Sequence, residues 1–304
     1  MKVQSWDCRK DENINMISIS NLNYQYKRSS KKILDNISLE IKPGVYGLIG
    51  ANGAGKTTLL KIIATLLPFD KGSLFIGDFN AKIDLSKIRS QIGYVPQRFE
   101  FFEMLTVYDF LYYIGLNKQI PLEELDNSIV YWLDKFNLID KKTERIKALS
   151  GGMKQRVAII QSLIGSPKIL IFDEPTVGLD PIERLRFKNI INEIKKDKII
   201  IISTHIISDV SALCDMIGVM SGGKILYSGS VDELIEEAKG KISTLVIGEG
   251  DNIPEVIMER IISIKRFENK IYLKVIDEGN SGNSVTPDLE DAYFLRIKKE
   301  VLNI

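Results

Sequence analysis

Apolar residues fall into two rhythms along this chain. Short β-branched runs read as strands at Ile17–Leu22, Ile37–Ile41, Val45–Gly50, Ser73–Ile76, Gln91–Pro96, Ile169–Phe172, Ile199–Ser203, Ile217–Met220 and Lys224–Ser228. Between them, stretches with helical spacing begin after Lys56, Thr106, Leu122, Gly151, Pro181, Ile206 and Val231. Continuous apolar strands alternating with helices predict an α/β unit around a buried, mostly parallel sheet. The early strands crowd together with turn residues between them, so part of the sheet is expected to be antiparallel and the whole to be mixed. From about residue 98 to residue 148 the strand signal stops, which predicts a helical insert subdomain.

After Gly240 the pattern changes. "KISTLVIG", "RIISIKRF" and "KIYLKVID" read as strands, and "DLEDAYFLRIKKEVL" reads as a closing helix with acidic residues first and basic residues last, as the helix dipole favours. That helix places Leu289, Ala292, Tyr293 and Leu295–Ile297 on an apolar side and leaves Lys298, Lys299 and Glu300 solvated. The expected division is an N-terminal extension over 1–16, a main unit over 17–240, and a small α+β appendage over 241–304.

Composition narrows the possibilities. The 304 residues are 44% hydrophobic and 27% charged, in keeping with a soluble globular chain. A net charge of +1 gives no overall excess to draw nucleic acid, which is not an expected partner. Cys8 and Cys214 stand far apart, without metal-type spacing, and read as free thiols of a reducing cytoplasm. The N-terminus lacks the apolar core of a signal peptide. No apolar run approaches the roughly 20 residues a membrane helix needs, so any work at a membrane requires a span from another chain.

Chemistry concentrates first in "GLIGANGAGKTTLLKII". Gly50, Gly55, Lys56 and Thr57 satisfy the G-x-x-x-x-G-K-[ST] spacing, with an apolar strand leading in and a helix leading out. Such a loop points successive N–H groups at phosphate oxygens, and the helix start adds its positive end. Lys56 would reach the β- and γ-phosphates, and the Thr57 hydroxyl would serve Mg²⁺. A kinase, a GTPase, a motor and a transport ATPase all remain open on this loop alone. The strand "KILIFDEP" then ends in Asp173-Glu174, where ligands bind in open α/β sheets. Asp173 suits the Mg²⁺ shell, and Glu174 is free to polarise an attacking water. Before it lies "LSGGM", in which Ser150 caps a helix and Gly151 and Gly152 let an anion approach its start, making a second anion site.

In this order, these motifs resemble the ATP-binding subunit of ABC transporters, over roughly Ile17 to Glu237. The resemblance implies a P-loop ATPase cassette that binds ATP and Mg²⁺ and hydrolyses ATP. It matches Tyr26 to the aromatic that stacks on adenine. It matches Asn52, Gly53, Ala54, Gly55, Lys56, Thr57 and Thr58 to the P-loop, and Gln97 to the glutamine that touches Mg²⁺ and water and marks the route to the membrane partner. Ser150, Gly151 and Gly152 match the signature that closes over the nucleotide of a second cassette, in a homodimer or heterodimer. Asp180 matches the residue linking the two sites. His205, the sole histidine of the chain, matches the switch residue that contacts the γ-phosphate and helps hold the attacking water. Met153 replaces the glutamine commoner at the fifth signature position, with Gln155 close behind.

A single set of motifs at this spacing resembles neither the tandem cassettes of translation factors nor the chromosome-maintenance proteins. "STHIISDVSALCDMIGVMSGGKILYSGSVDEL" and "TPDLEDAYFLRIKKE" resemble the bacterial drug, antibiotic and bacteriocin exporter branch. That implies a peripheral subunit on the cytoplasmic face of the membrane, working with a separate transmembrane permease. An importer cassette and a soluble regulatory ATPase are the alternatives.

Overall fold

The computed structural model describes residues 14–27, 31–248, 253, 255–277 and 283–302; Cys8 and the expected extension before residue 14 lie outside them. In chain order the elements are β1 (Ile17–Gln25), β2 (Lys32–Ile41), β3 (Gly44–Ile49), α1 (Lys56–Ile63), β4 (Lys71–Ile76), β5 (Phe79–Asn80), α2 (Leu85–Ser90), β6 (Ile92–Val95), α3 (Val107–Asn117) and α4 (Leu122–Lys135). There follow α5 (Gly151–Leu163), β7 (Ile169–Asp173), α6 (Pro181–Ile194), β8 (Ile199–Thr204), α7 (Ile207–Ser211), β9 (Met216–Ser221), β10 (Lys224–Ser230) and α8 (Val231–Ala238). The last are β11 (Ile242–Gly248), α9 (Glu255–Met258), β12 (Ile261–Phe267), β13 (Lys270–Ile276), β14 (Asn283–Ser284) and α10 (Leu289–Leu302).

The central sheet runs β10-β9-β3-β8-β7-β6, parallel except for the β9–β10 hairpin. Its inner strands β3, β8 and β7 bury both faces, so the isoleucine run of β8 divides between two cores. Ile200 and Ile202 join Val45, Ile49, Leu170 and Phe172 on one side. Ile199 and Ile201 join Tyr46, Leu48, Ile169 and Ile171 on the other. The period of two along a strand produces this division, and a strand buried on both faces must then be apolar at every position.

The early strands form a separate antiparallel sheet, β2-β1-β4-β5. Between the two sheets lies α1, whose Leu59, Leu60, Ile62 and Ile63 are buried in the second core. Between residues 98 and 148 the chain forms α3, α4 and two short 3-10 turns, Ile139–Lys141 and Ile146–Ala148. The side chain of Thr106 caps α3 by accepting from the Asp109 amide. Phe110, Leu111, Leu125, Ile129 and Leu133 continue the first core into this helical region. The short β5 and α2 were not expected from the sequence, being too brief to show a period.

The C-terminal strands form a third sheet, β12-β13-β11-β14. Alternation along β13 buries Ile271, Leu273 and Val275 in a small cluster with Leu245, Ile257 and Ile261 around it. The closing helix joins a different cluster, which Ile242, Ile262 and Ile276 of this sheet also enter. Leu289, Ala292, Tyr293 and Leu295 of α10 join the first core with Leu234 and Ala238 of α8. Arg296 donates from Nε (3.0 Å) and Nη2 (2.7 Å) to the Leu226 carbonyl on β10. Lys298 and Lys299 are half-buried rather than solvated, because Lys298 turns back to donate to the Glu259 carbonyl. Asp288 accepts from the Asp291 amide (2.9 Å), which caps the helix.

Candidate functional site

Three neighbouring parallel strands bring the phosphate loop, the acidic pair and the histidine to one edge of the sheet. Ile49 of β3 pairs with Thr204 of β8, and Asp173 of β7 pairs with Ser203 of β8. The residues that follow are therefore level: Gly50 begins the loop, Glu174 follows Asp173, and His205 follows Thr204. The register decides this, since the three segments are far apart in the chain.

The loop needs its glycines for steric reasons. Gly55 has φ +108°, and a Cβ there would lie 2.8 Å from Met220 Cε and 3.0 Å from the Ile33 carbonyl oxygen. A Cβ on Gly50 would lie 2.3 Å from the Met220 carbonyl oxygen. The β9–β10 turn thus supports the loop from behind, and Gly223 N–H donates to the Ala54 carbonyl (3.0 Å). Asn52 and Gly53 are exposed at the loop's crest, and Ala54 is buried beneath it. Lys56 folds over the loop: its Nζ donates to the carbonyls of Gly50 (2.6 Å) and Ala51 (3.3 Å) and lies 3.7 Å from Glu174 Oε1. Burial holds the Lys56 ammonium below its usual pKa, and the nearby Glu174 and Asp173 carboxylates oppose that shift.

Asp173 is fully buried. Its Oδ1 accepts from the Ser203 hydroxyl at 2.6 Å, while its Oδ2 is buried without a partner. A buried carboxylate oxygen left free beside a phosphate loop suits a hard cation that draws its other ligands from phosphate, hydroxyl and water. The partly buried Thr57 opens α1 next to Lys56. No cluster of three or more His, Cys, Asp or Glu that could hold a metal ion is found among the described residues. Tyr94 sits on β6, one strand beyond Asp173; its hydroxyl is also buried and unpartnered, and burial followed by the Asp173 charge raises its pKa.

Glu174 is 3% exposed and adopts φ +56°, a strained conformation for a side chain with a Cβ. Its amide donates to the Ser203 carbonyl (3.1 Å) and hydroxyl (3.2 Å), which hold that turn. Its Oε2 lies 2.9 Å from His205 Nδ1, and the imidazole stays nearly half exposed. One buried carboxylate is thereby held between the loop lysine and the histidine.

Other expected residues are placed around this centre at varying remove. Tyr26 lies just beyond β1, 41% exposed, with its hydroxyl 3.3 Å from Thr58 Oγ1 and its ring edge-on to Tyr24. Gln97 is exposed past the end of β6. Ser150 caps α5 by accepting from the Met153 amide (3.3 Å); Ser150 and Gly151 are exposed, and nothing lies within 4 Å of where a Gly151 Cβ would stand. Asp180 caps α6 through the Glu183 amide (2.9 Å) and is likewise exposed. Among the described residues, no hydrogen bond or ion pair joins Ser150 or Asp180 to the phosphate loop of the same chain.

Sequence reasoning passed over Ser203, which anchors both acidic residues; its signal was its place beside Thr204 just before the histidine. It also passed over Asp209, which is buried against Thr176, while Gln155, noted beside Met153 in the signature, donates its amide to the Pro175 carbonyl (3.1 Å). Cys214 is buried and its thiol is pushed up to about 12, first by burial, so it is an inert core residue.

Comparison with known proteins gives concordant results. The family model described as ABC transporter matches residues 34–177. An ABC transporter ATP-binding protein of Synechocystis sp., sll0415, is 34% identical over 286 residues, covering 88% of this chain and 78% of the relative. The methionine import ATP-binding protein MetN of Clostridioides difficile is 30% identical, covering 86% of each. The linearmycin resistance ATP-binding protein LnrL of Bacillus subtilis is 31% identical, covering 74% of this chain and 72% of the relative. Among solved structures, the dimeric ATP-binding cassette MJ0796 in a post-hydrolysis state with ADP and Pi superposes with a TM-score of 0.66 at 25% identity, covering 70% of this chain and 98% of that one.

Proposed function

The chain belongs to the ATP-binding subunits of ABC transporters, the ATPase cassettes that power transport, and on that premise we propose that it drives an exporter from the cytoplasmic face of the membrane. The cassette is assigned to residues 17–240, with the helical subdomain at about 98–148, and residues 241–304 to an accessory module. Two cassettes close on two ATP molecules, and a separate permease supplies the membrane spans; no described helix is long and apolar enough to cross a bilayer.

The observation that carries the mechanism is the Glu174 carboxylate held between Lys56 and His205. Lys56 exchanges the Gly50 and Ala51 carbonyls for the β- and γ-phosphates. Thr57, Gln97 and Asp173 would hold Mg²⁺, which when bound neutralises charge on the phosphates. Glu174 accepts a proton from the attacking water, and its buried, doubly anchored position keeps that oxygen aimed. With both ring nitrogens protonated, His205 donates from Nδ1 to the Glu174 carboxylate and from Nε2 to the γ-phosphate. Tyr26 offers its exposed ring to adenine beside Thr58. The exposed amino end of α5, with Ser150, Gly151 and Gly152, is free to cap the γ-phosphate of the partner cassette. Asp180 lies exposed for the same interface.

Support for export comes from the hairpin and closing-helix sequences and from the similarity to LnrL, whose name denotes resistance. The similarity to MetN favours import as the second reading. Affinity purification of the tagged chain from membranes should bring down a multi-span permease. In inside-out vesicles bearing that pair, ATP added outside should drive substrate inward; uptake by right-side-out cells dependent on an external binding protein would establish the importer instead. Glu174→Gln should bind ATP, stop turnover and accumulate a dimer on size-exclusion chromatography. Turnover at the parental rate would remove Glu174 from the role of base.

A further inference from the structure

One buried ionic group lies beside the hydrolytic centre without taking part in it. Asp209, on α7, is 5% exposed. Its Oδ2 accepts from the Thr176 hydroxyl at 2.6 Å, and its Oδ1 lies 3.3 Å from Lys188 Nζ. Thr176 is 1% exposed and stands two residues after Glu174. Lys188 is on α6, the helix that Asp180 caps, and also donates to the Ser208 carbonyl (3.5 Å). Three segments therefore meet at one carboxylate: the turn after Glu174, the helix that begins at Asp180, and the short helix that follows His205.

We propose that Asp209 is a positioning residue: clamped by Thr176 and Lys188, it fixes the His205 loop against the Glu174–Asp180 segment, so that the phosphate-sensing and dimer-facing parts move as one. The physical reason begins with α7. It has five residues and no side-chain cap, too few to hold a helix by themselves. Its place must come from tertiary contacts: Asp209 supplies the side-chain ones, Lys188 also reaches the Ser208 carbonyl, and Val210 packs in the first core. His205 is four residues before Asp209, so a shift of α7 carries the imidazole with it.

The same clamp continues to the signature helix. Gln155 on α5 donates to the Pro175 carbonyl, next to Thr176, and Arg156 on α5 pairs with Glu183 on α6 at 3.3 Å. Movement of α5 on meeting a partner's nucleotide would thus reach His205 through Pro175, Thr176 and Asp209. A buried charge pair that only filled space would be replaceable by apolar side chains. Here both carboxylate oxygens are committed to different elements, so a shape-matched apolar residue cannot join the three segments.

The inference rests on the assignment of Glu174 and His205 to the hydrolytic centre. It can be tested on the full chain because His205 is the sole histidine and gives one imidazole signal in a ¹⁵N-histidine-labelled protein. Asp209→Ala and the nearly isosteric Thr176→Val should each shift that signal. Asp209→Ala should lower kcat by up to about a hundredfold, the effect of a misplacement near 1 Å, and leave ATP affinity by equilibrium dialysis within about twofold. Asp209→Asn, which keeps an acceptor for Thr176 but loses the charge facing Lys188, should fall between. Lys195→Ala, on the exposed pair with Asp215 at the end of α6, should change neither reading.

Folded Asp209→Ala and Thr176→Val proteins with an unmoved signal and parental kcat would overturn the proposal. If Asp209→Ala fails to fold, Thr176→Val, which removes one hydroxyl, carries the same expectation. Parental turnover by His205→Ala would instead overturn the underlying site assignment. Loss of turnover in His205→Ala with both clamp variants unaffected would remove the clamp alone.

Discussion

Glu174 Oε2 and His205 Nδ1 lie 2.9 Å apart, although the glutamate is buried and the imidazole nearly half exposed. The pair joins a buried carboxylate to a ring whose other nitrogen makes no hydrogen bond among the described residues. Removing that nitrogen in His205→Ala should leave ATP affinity within a few-fold and cut turnover by roughly a hundredfold, the effect of losing one donor in a preorganised site. Steady-state ATPase assays beside nucleotide titrations check this, and equal losses in both would point to a binding role.

Ser203 is expected to matter as much as the residues it holds. Its hydroxyl donates to Asp173 at 2.6 Å and receives the Glu174 amide at 3.2 Å. Ser203→Ala leaves a second buried Asp173 oxygen unsatisfied, which costs about 1–3 kcal/mol. Thermal melts should show that loss, and the Mg²⁺ concentration for half-maximal turnover should move. An unchanged melting point and Mg²⁺ dependence would mean that Ser203 does not anchor the acidic pair.

Gly55→Ala places a methyl at φ +108° and 2.8 Å from Met220 Cε. Methionine can yield, but the 3.0 Å approach to the Ile33 carbonyl cannot be relieved without moving backbone. ATP binding should weaken by more than tenfold, measured by nucleotide titration. Met220→Ala in the same chain should restore little, because the carbonyl contact persists.

The exposed N-terminus of α5 gives a test in mixed dimers. Gly151→Asp puts a carboxylate where a partner's γ-phosphate would arrive, yet among the described residues nothing lies within 4 Å of the added Cβ. Monomer ATP binding should be retained and turnover lost. Pairing Gly151→Asp chains with Lys56→Ala chains should rebuild one working site and occlude ATP. Normal pairing without any occlusion would contradict assembly of the site from two chains.

Lys198 supplies a pH-dependent prediction. Burial, with Lys168 adding, brings its pKa down to about 8, although Nζ donates to the Pro167 carbonyl at 2.7 Å. A depressed base penalises the fold while both states are protonated. Between about pH 8 and the unfolded value near 10.5 the unfolded chain binds more protons, so stability contributed at this site rises with pH. Relative to Lys198→Met, the parental chain should therefore gain stability as pH increases through that window, as measured by denaturant titrations at pH 7 and pH 10. A pH-independent difference would show that Lys198 does not titrate there.

Truncation at Gly240 would uncover Leu234 and Ala238, which α10 helps to bury. The shortened chain should still bind ATP but melt at a lower temperature. In the full chain Leu295→Ala should cost about 2–5 kcal/mol, as core truncations do. An unaltered melt in both would contradict a shared core.

Much of this protein follows from local sequence, and the physical reason is local. The unbroken apolar run in "IIIIST" suits a strand buried on both faces. The glycines before Lys56 are needed by a loop whose N–H groups face phosphate, and Ser150, Asp180 and Asp288 sit at the helix starts where a side-chain oxygen can take a free amide. The family motifs in "LSGGM" and "FDEP" depend on the same short spacing. What required tertiary structure is set by register and by neighbours distant in the chain. Only the pairing of Asp173 with Ser203, and of Ile49 with Thr204, brings the loop, Glu174 and the histidine level. Only packing shows that Met220 stands behind Gly55, that Asp209 meets Thr176 and Lys188, and that Lys298 turns toward Glu259 instead of water. A sequence period records which face of an element is apolar; the partner for a buried polar group is chosen by whichever other element the fold brings against it.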